Sequence, residues 1–359
     1  MALALRLGAR GLGQVWPNPA VGCVIVRDGR IVGRGWTQPG GRPHAETVAL
    51  AQAGEAARGA TAYVTLEPCA HHGRTPPCCD ALIDAGLARV VVALRDPDPR
   101  VDGEGLRRLR AAGITVDPGV MEAEARVAQA GFLSAKTRGR PFVTLKLASS
   151  LDGRIAMASG ESRWITGAQA RRAVHALRMR HDAVMVGAGT ARADDPELTV
   201  RDMGAPAQPV RIVLDSRLSH APDSRLGRSA KDAPVWVCHG ADAPQGAQQA
   251  WLARGARLIA CAAASGGGLE LGAVMRELAG AGLTRVLCEG GAQLAAALIA
   301  EGLVDELVQY VAGVAIGADG RAMTGALGPG QLADAARFEL VAVERIGGDA
   351  MLRWRSASS

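Results

Sequence analysis

The chain has 359 residues, 48% hydrophobic and 21% charged, a composition that excludes a disordered polypeptide and gives enough length for two cores rather than one. No uncharged apolar run reaches the roughly 18 residues of a membrane span, and the opening Met1 to Arg6 segment lacks the apolar centre of a signal peptide, so a cytoplasmic protein without a membrane partner is expected. The net charge of +6 suits an anionic small substrate or a nucleic acid, but aromatic residues make up only 3% and basic residues form no run, so no nucleic-acid partner is expected.

In chain order, an amphipathic segment over 2–11 leads to an apolar strand over 20–27, an Asp28-Gly29 turn and a strand over 30–35, which is a hairpin pattern. Helix-like stretches at 44–53, 77–85 and 104–112 then alternate with strand-like stretches at 62–66 and 89–94, predicting a layered α/β domain. The pattern lapses across Lys136-Thr137-Arg138-Gly139-Arg140-Pro141, where a boundary is expected between domains 1–139 and 140–359. The second half predicts strands at 142–149, 183–186, 210–214, 235–238, 285–288 and 306–311, with helices at 167–180, 271–279 and 293–300. It is a second α/β domain.

Seven cysteines without a secretory signal suit reduced thiols and metal ligation. His44-Ala45-Glu46 opens a helical segment, and Pro68-Cys69 follows a strand, with Cys78 behind it. Zinc-dependent base deaminases carry His-x-Glu followed by Pro-Cys-x-x-Cys, and here eight residues separate the two cysteines instead of two. The intervening stretch is rich in turn formers and can bring Cys78 back to the metal. One imidazole and two thiolates leave a fourth zinc position for water, as a catalytic site requires. Zinc lowers the pKa of that water towards about 7, which prepares it to attack an amino-bearing ring carbon. Glu46, beside a ligand but not itself one, is the expected proton shuttle between water, ring nitrogen and departing ammonia.

Cys79, His71 and His72 are close enough in sequence to replace a ligand, although the Pro-Pro-Cys helix start favours Cys78. The two histidines are expected on a substrate loop and Cys23 in the core. A helix-capping His44 with a solvated Glu46 and buried cysteines is the bland alternative. It leaves the open three-ligand set unexplained.

In the second half, Gly187-Ala188-Gly189 is followed by Arg192 where a dinucleotide fingerprint has its third glycine, so alone it is a weak signal. Gly290-Gly291 before a helix offers backbone N–H groups to a phosphate, and an ordinary glycine turn explains it equally well. Arg178 and Arg201 suit a substrate phosphate or are solvated charges. Lys146, flanked by Leu145 and Leu147 in an apolar strand, is expected to contact substrate. Asp152 and Asp194 are candidates for binding ribose or capping helices.

The runs Pro17-Asn18-Pro19-Ala20-Val21-Gly22-Cys23, His44-Ala45-Glu46 and Thr65-Leu66-Glu67-Pro68-Cys69 through Pro76-Pro77-Cys78 resemble the bacterial bifunctional riboflavin-biosynthesis deaminase/reductase family. The long loop between the cysteines is specific to that branch of the cytidine-deaminase-like families. Lys146 to Arg154, Gly160 to Thr166, Val186 to Pro196 and Glu289-Gly290-Gly291 extend the resemblance over nearly the whole chain. It implies a cytidine-deaminase-like three-layer α/β/α domain followed by a dihydrofolate-reductase-like α/β domain. The first would deaminate a diaminopyrimidinone bearing a ribosylamino phosphate, and the second would reduce the ribosyl group to ribityl with NADPH.

The same resemblance implies that Ala148, Trp164, Thr190, Asp194, Ser216 and the stretch Gly291, Ala292, Gln293, Leu294, Ala295, Ala296 and Ala297 meet NADPH. It also implies that Ser162, Arg178, Leu198, Arg201 and Glu289 meet substrate, and that the protein is a homo-oligomer. A deaminase of another free base or nucleotide would leave the second domain without a purpose. A zinc-stabilised scaffold would have no need of an open metal position beside Glu46.

Overall fold

A computed structural model describes residues 1–71, 76–98, 101–204, 207–328 and 330–357; His72 lies outside them. The chain divides into two compact units, Met1–Arg140 and Pro141–Ser359. Among the described residues, no helix is long and apolar enough to cross a membrane.

The first unit is built on strands β1 (Gly22–Arg27), β2 (Arg30–Trp36), β3 (Thr61–Val64), β4 (Arg89–Val92) and β5 (Thr115–Pro118), ordered β2-β1-β3-β4-β5. β1 and β2 form the expected antiparallel hairpin, turned by Asp28 and Gly29, both with positive φ as an Asp-Gly hairpin turn demands. β3, β4 and β5 run parallel. The helices are α1 (Ala2–Gly8), α2 (Ala45–Ala53), α3 (Cys78–Asp84), α4 (Glu104–Ala111), α5 (Glu122–Ala128) and α6 (Ala130–Thr137).

β1 is covered on both faces, which is why it reads as a continuous apolar run. Cys23 and Ile25 pack into the same core as Ala45, Ala49 and Ala53 of α2, while Val24 packs with Ala4 and Leu7 of α1. Cys23 is therefore a core residue, as expected. α2 lies so close to β2 that a Cβ on Gly35 would sit 2.0 Å from the Ala45 carbonyl oxygen. Gly35→Ala must push back the first turn of α2, and overpacking of this kind costs about 1–3 kcal/mol or more. A lowered Tm in thermal unfolding is the expected result.

The second unit adds β6 (Phe142–Ser150), β7 (Arg154–Ala156), β8 (Ala183–Gly187), β9 (Val210–Leu214), β10 (Val235–His239), β11 (Arg257–Ala260), β12 (Arg285–Cys288), β13 (Glu306–Ala312), β14 (Arg321–Ala322), β15 (Phe338–Ile346) and β16 (Asp349–Ser356). Its helices are α7 (Ala168–Met179), α8 (Ala188–Asp194), α9 (Arg225–Arg228), α10 (Gln245–Ala253), α11 (Leu271–Gly280) and α12 (Ala292–Ala300). Nine strands form one sheet ordered β11-β10-β9-β8-β12-β6-β13-β16-β15, and β7 pairs with β14 as a separate ribbon. From β11 to β13 the strands are parallel; β16 and β15 close the sheet antiparallel.

The late strand β12 lies between β8 and β6. The carboxyl ends of β6, β8, β9 and β12 therefore meet along one edge, at a point where the strand order reverses, which is where open parallel sheets bind ligands.

Candidate active sites

In the first unit, His44 stands in extended conformation immediately before α2, and Cys78 is the first residue of α3. Cys69 lies on the segment that leaves β3. These three elements bring the predicted ligands together. His44 Nδ1 is 3.2 Å from Cys78 Sγ and 3.7 Å from Cys69 Sγ, and the ligand atoms all lie within 4.8 Å of one another. The Cys78 backbone N–H donates to Cys69 Sγ at 3.3 Å.

Zinc bonds of about 2.0 Å to nitrogen and 2.3 Å to sulfur place tetrahedral ligand atoms roughly 3.5 Å apart. The observed separations bracket that value, so the three residues fit zinc. Their protonation agrees with such a role. A hydrogen bond from Cys78, opposed by burial and aided by His44, holds the Cys69 thiol down at about 4. The same contact and burial drive Cys78 well above the ordinary thiol value, and the bond to Cys69 raises His44. The two sulfurs and the imidazole are sharing protons that a dication would displace.

Glu46 lies in the first turn of α2 and is only 4% exposed. Burial, reinforced by the Cys69 charge, pushes its carboxyl up to about 7. A group poised there can accept and return a proton near neutrality.

Of the alternative ligands, the two among the described residues stand outside the cluster. The Cys79 thiol faces Asp80, 3.4 Å from Oδ1, and is fully buried on the core side of α3. His71 is not part of the three-ligand cluster. Cys78→Ala is expected to lose bound zinc, whereas Cys79→Ala keeps about one zinc per chain. Elemental analysis after gel filtration measures both.

Glu67 is a residue that sequence reasoning gave no role. Buried beside Pro68-Cys69, it accepts backbone N–H groups from Asp96 (3.3 Å), Gly103 (3.1 Å), Gly105 (3.0 Å) and Leu106 (3.3 Å). Its carboxylate thereby fastens the loop after β4 and the start of α4 to the segment that delivers Cys69. A charged residue adjoining a ligand motif was the available signal.

In the second unit, a cavity of about 720 Å³ opens at the carboxyl edge of the parallel strands. Lys146 and Ala148 of β6, the Gly187 to Thr190 turn with Asp194, and Glu289 to Leu294 supply its walls, with Ser162 also lining it. The Gly291 N–H donates to Thr190 Oγ1 at 3.0 Å, tying the two glycine-bearing turns together.

Behind Lys146, Arg178 grips Glu289 with two hydrogen bonds, Nε to Oε1 at 2.6 Å and Nη2 to Oε2 at 3.0 Å, and Nη1 donates to the Thr199 carbonyl at 2.8 Å. Burial alone would raise Glu289, but Arg178 and then Lys146 hold it at about 2, a firm carboxylate. Burial lowers Lys146, and Glu289 opposes that lowering. Two cations and one anion leave this corner of the cavity with a net positive charge, which suits a phosphorylated substrate.

Other sequence-named residues stand elsewhere. Trp164 is 69% exposed, outside the cavity lining, with the Arg171 guanidinium 4.6 Å from its ring centroid. Ser216 follows β9 and accepts the Gly240 N–H on its carbonyl. Ala295 and Ala296 are buried on the packed side of α12, and Ala297 is half-buried; only the first turn of that helix reaches the cavity. Leu198 is buried, Arg201 pairs with Glu197 at 2.8 Å, and neither lines the cavity. Arg178 reaches it only through Glu289.

Asp152 caps a loop: it accepts from Ser150 Oγ at 2.6 Å and from the Gly317 N–H at 2.7 Å. Ile155, Ala156, Arg321 and Met323, on or beside the β7–β14 ribbon, also line the cavity. Strands of two and three residues carry no periodic signal.

Comparison with known proteins matches residues 1–94 to the cytidine and deoxycytidylate deaminase zinc-binding region and residues 141–352 to the RibD C-terminal domain. The chain is 46% identical over 364 residues to riboflavin biosynthesis protein RibD of Escherichia coli (strain K12), covering 98% of this chain and 97% of that protein. It is 40% identical to RibD of Aquifex aeolicus (strain VF5), with 98% and 96% covered. Among solved structures, Acinetobacter baumannii RibD superposes with a TM-score of 0.89 at 42% identity, covering 99% of this chain and 97% of that one. A Thermotoga maritima diaminohydroxyphosphoribosylaminopyrimidine deaminase/5-amino-6-(5-phosphoribosylamino)uracil reductase does so with a TM-score of 0.86 at 34% identity, with 99% and 97% covered.

Proposed function

The chain belongs to the RibD family of bifunctional riboflavin-biosynthesis enzymes, with a zinc-binding deaminase unit and an NADPH-dependent reductase unit, and from that premise we propose which residues carry each step. His44, Cys69 and Cys78 hold the zinc, and Glu46 moves the protons. The observation that carries this reading is the convergence of one imidazole nitrogen and two sulfurs within 4.8 Å, beside a buried carboxyl in the first turn of the same helix. The substrate is a diaminopyrimidinone carrying a ribosylamino phosphate, the class named for the Thermotoga maritima relative.

Bound zinc would polarise a water for attack on the amino-bearing ring carbon. Glu46 takes the two water protons in turn, passing the first to the ring nitrogen as the carbon–oxygen bond forms and the second to the amine as the carbon–nitrogen bond breaks and ammonia leaves. Its burial keeps those protons from bulk solvent.

In the second unit, NADPH would supply a hydride to the opened sugar. Lys146 Nζ donates to the substrate and orients it, Glu289 keeps that ammonium charged, and Arg178 keeps Glu289 ionised and in place. Thr190 and the Gly291 to Leu294 turn receive the cofactor. The reading includes a cytoplasmic protein, supported by seven free thiols, with no nucleic-acid partner, supported by a chain only 3% aromatic, and a homo-oligomer, which rests on the family resemblance alone.

The test incubates zinc-loaded protein with the diaminopyrimidinone ribosylamino phosphate while ammonia and NADPH are followed together. Ammonia release should precede NADPH oxidation, and removal of zinc should stop both when deamination is the only source of the second substrate. NADPH oxidation without ammonia, or silence in both signals, overturns the assignment.

A further inference from the structure

Deamination changes one feature of the ring that the reductase unit can read. Hydrolysis removes the amine and leaves oxygen on the same carbon, so a group with two N–H donors becomes a carbonyl, which only accepts. The reductase activity of the Thermotoga maritima relative is named for a uracil, the ring that carries this carbonyl. A residue that selects the deaminated ring must therefore donate and never accept. Arginine, with five N–H donors and no acceptor, has that property.

The charged residues that line the cavity of the second unit are Lys146, Asp194, Glu289 and Arg321. Lys146 and Glu289 stand in the corner that Arg178 closes, and Asp194 belongs to α8. Arg321 comes from another wall: it lies on β14, opposite Ala156 of β7. Among the described residues its guanidinium has neither a carboxylate nor a hydrogen-bond partner. It passes Gly160 so closely that a Cβ there would stand 3.1 Å from Nη2.

Ile155, Ala156 and Met323 share this wall. Met323 is held in place, its N–H donating to the Gly153 carbonyl at 3.0 Å and its sulfur accepting from Gln309 Nε2 at 3.4 Å. Apolar side chains and a fixed thioether suit the face of an aromatic ring, and Arg321 beside them offers donors to its edge. The substrate phosphate has the positive corner at Lys146, and cofactor phosphates have the N–H groups at the start of α12. Neither anion needs Arg321.

We propose that Arg321 recognises the ring carbonyl created by deamination and thereby makes the reductase unit specific for deaminated substrate. This rests on the reductase reading above. A guanidinium N–H donates to that carbonyl oxygen, whereas against the amine of the undeaminated ring donor meets donor and both lose their partners. Recognition, as well as supply, then sets the order of the two steps.

The test follows NADPH oxidation by zinc-loaded full-length protein with two substrates: the uracil ribosylamino phosphate, and its analogue with hydrogen in place of the new oxygen, which has no amine to lose. The unaltered protein should favour the uracil in kcat/KM by about thirtyfold, the scale of one charge-assisted hydrogen bond. Arg321→Met should bring the uracil value down to that of the analogue, chiefly through KM for the ring substrate, and R321K should keep part of the preference. Glu46→Gln protein given the amine-bearing precursor should reduce it at least about tenfold faster when it also carries R321M, with ammonia release counted so that only the intact ring is scored. A preference retained in R321M, an equal loss on both substrates, a raised KM for NADPH or no gain on the precursor overturns the assignment of Arg321. Equal use of the two substrates by the unaltered protein also overturns it but keeps the reductase reading. No NADPH oxidation with either substrate removes that reading.

Discussion

Glu46→Gln is expected to lower the rate of ammonia release by at least about a hundredfold, the ordinary scale of a general acid–base contribution, while the protein keeps its zinc. Glutamine preserves the size and hydrogen-bonding reach of the side chain but cannot carry a proton. The three proposed ligands are untouched, since among the described residues the cluster comprises His44, Cys69 and Cys78. Burial raises the Glu46 carboxyl, and a glutamine fills the same buried space. Single-turnover ammonia release and zinc content per chain decide the matter together. An active glutamine variant would dismiss Glu46 as the shuttle, and a variant without zinc would make it a structural support of the metal.

Lys146→Met is the second large effect: NADPH oxidation should fall about a hundredfold or more, through lost orientation and charge, with ammonia release intact. Methionine fills the same space in β6 but removes the ammonium. The corner of the cavity then holds only Arg178 and Glu289, already satisfied by each other at 2.6 and 3.0 Å, and its net positive charge is gone. The KM for the phosphorylated intermediate should rise with the loss of kcat. Unchanged turnover on deaminated intermediate, assayed at saturating NADPH, would end the claim that Lys146 touches substrate.

The two sites differed in how much the sequence disclosed. His44, Glu46, Cys69 and Cys78 were legible because metal ligation demands particular side chains, and because the helix starts at His44 and Cys78 bring them together by local rules. The cavity of the second unit was less so. Lys146 in β6, Thr190 in α8 and Glu289 just after β12 line one cavity because β12 inserts between β8 and β6.

Helical geometry divides the predicted cofactor stretch: α12 turns Gly291 to Leu294 towards the cavity and Ala295 and Ala296 into the core. The C-terminal hairpin escaped notice for a different reason. β15 is an edge strand with Leu340 52% exposed and an irregularity between Leu340 and Ala342, so its residues do not alternate cleanly between core and solvent.

The placement of β12 also has a consequence for biosynthesis. The metal cluster closes between residues 34 apart, whereas the Gly291 to Thr190 contact that joins the cavity walls spans 101. Local contacts form early and distant ones late, and domains emerge from the ribosome amino terminus first. A nascent chain therefore gains a metal-competent deaminase while its reductase is still an open sheet with a gap where β12 belongs. The enzyme acquires its two activities in the order in which its pathway uses them.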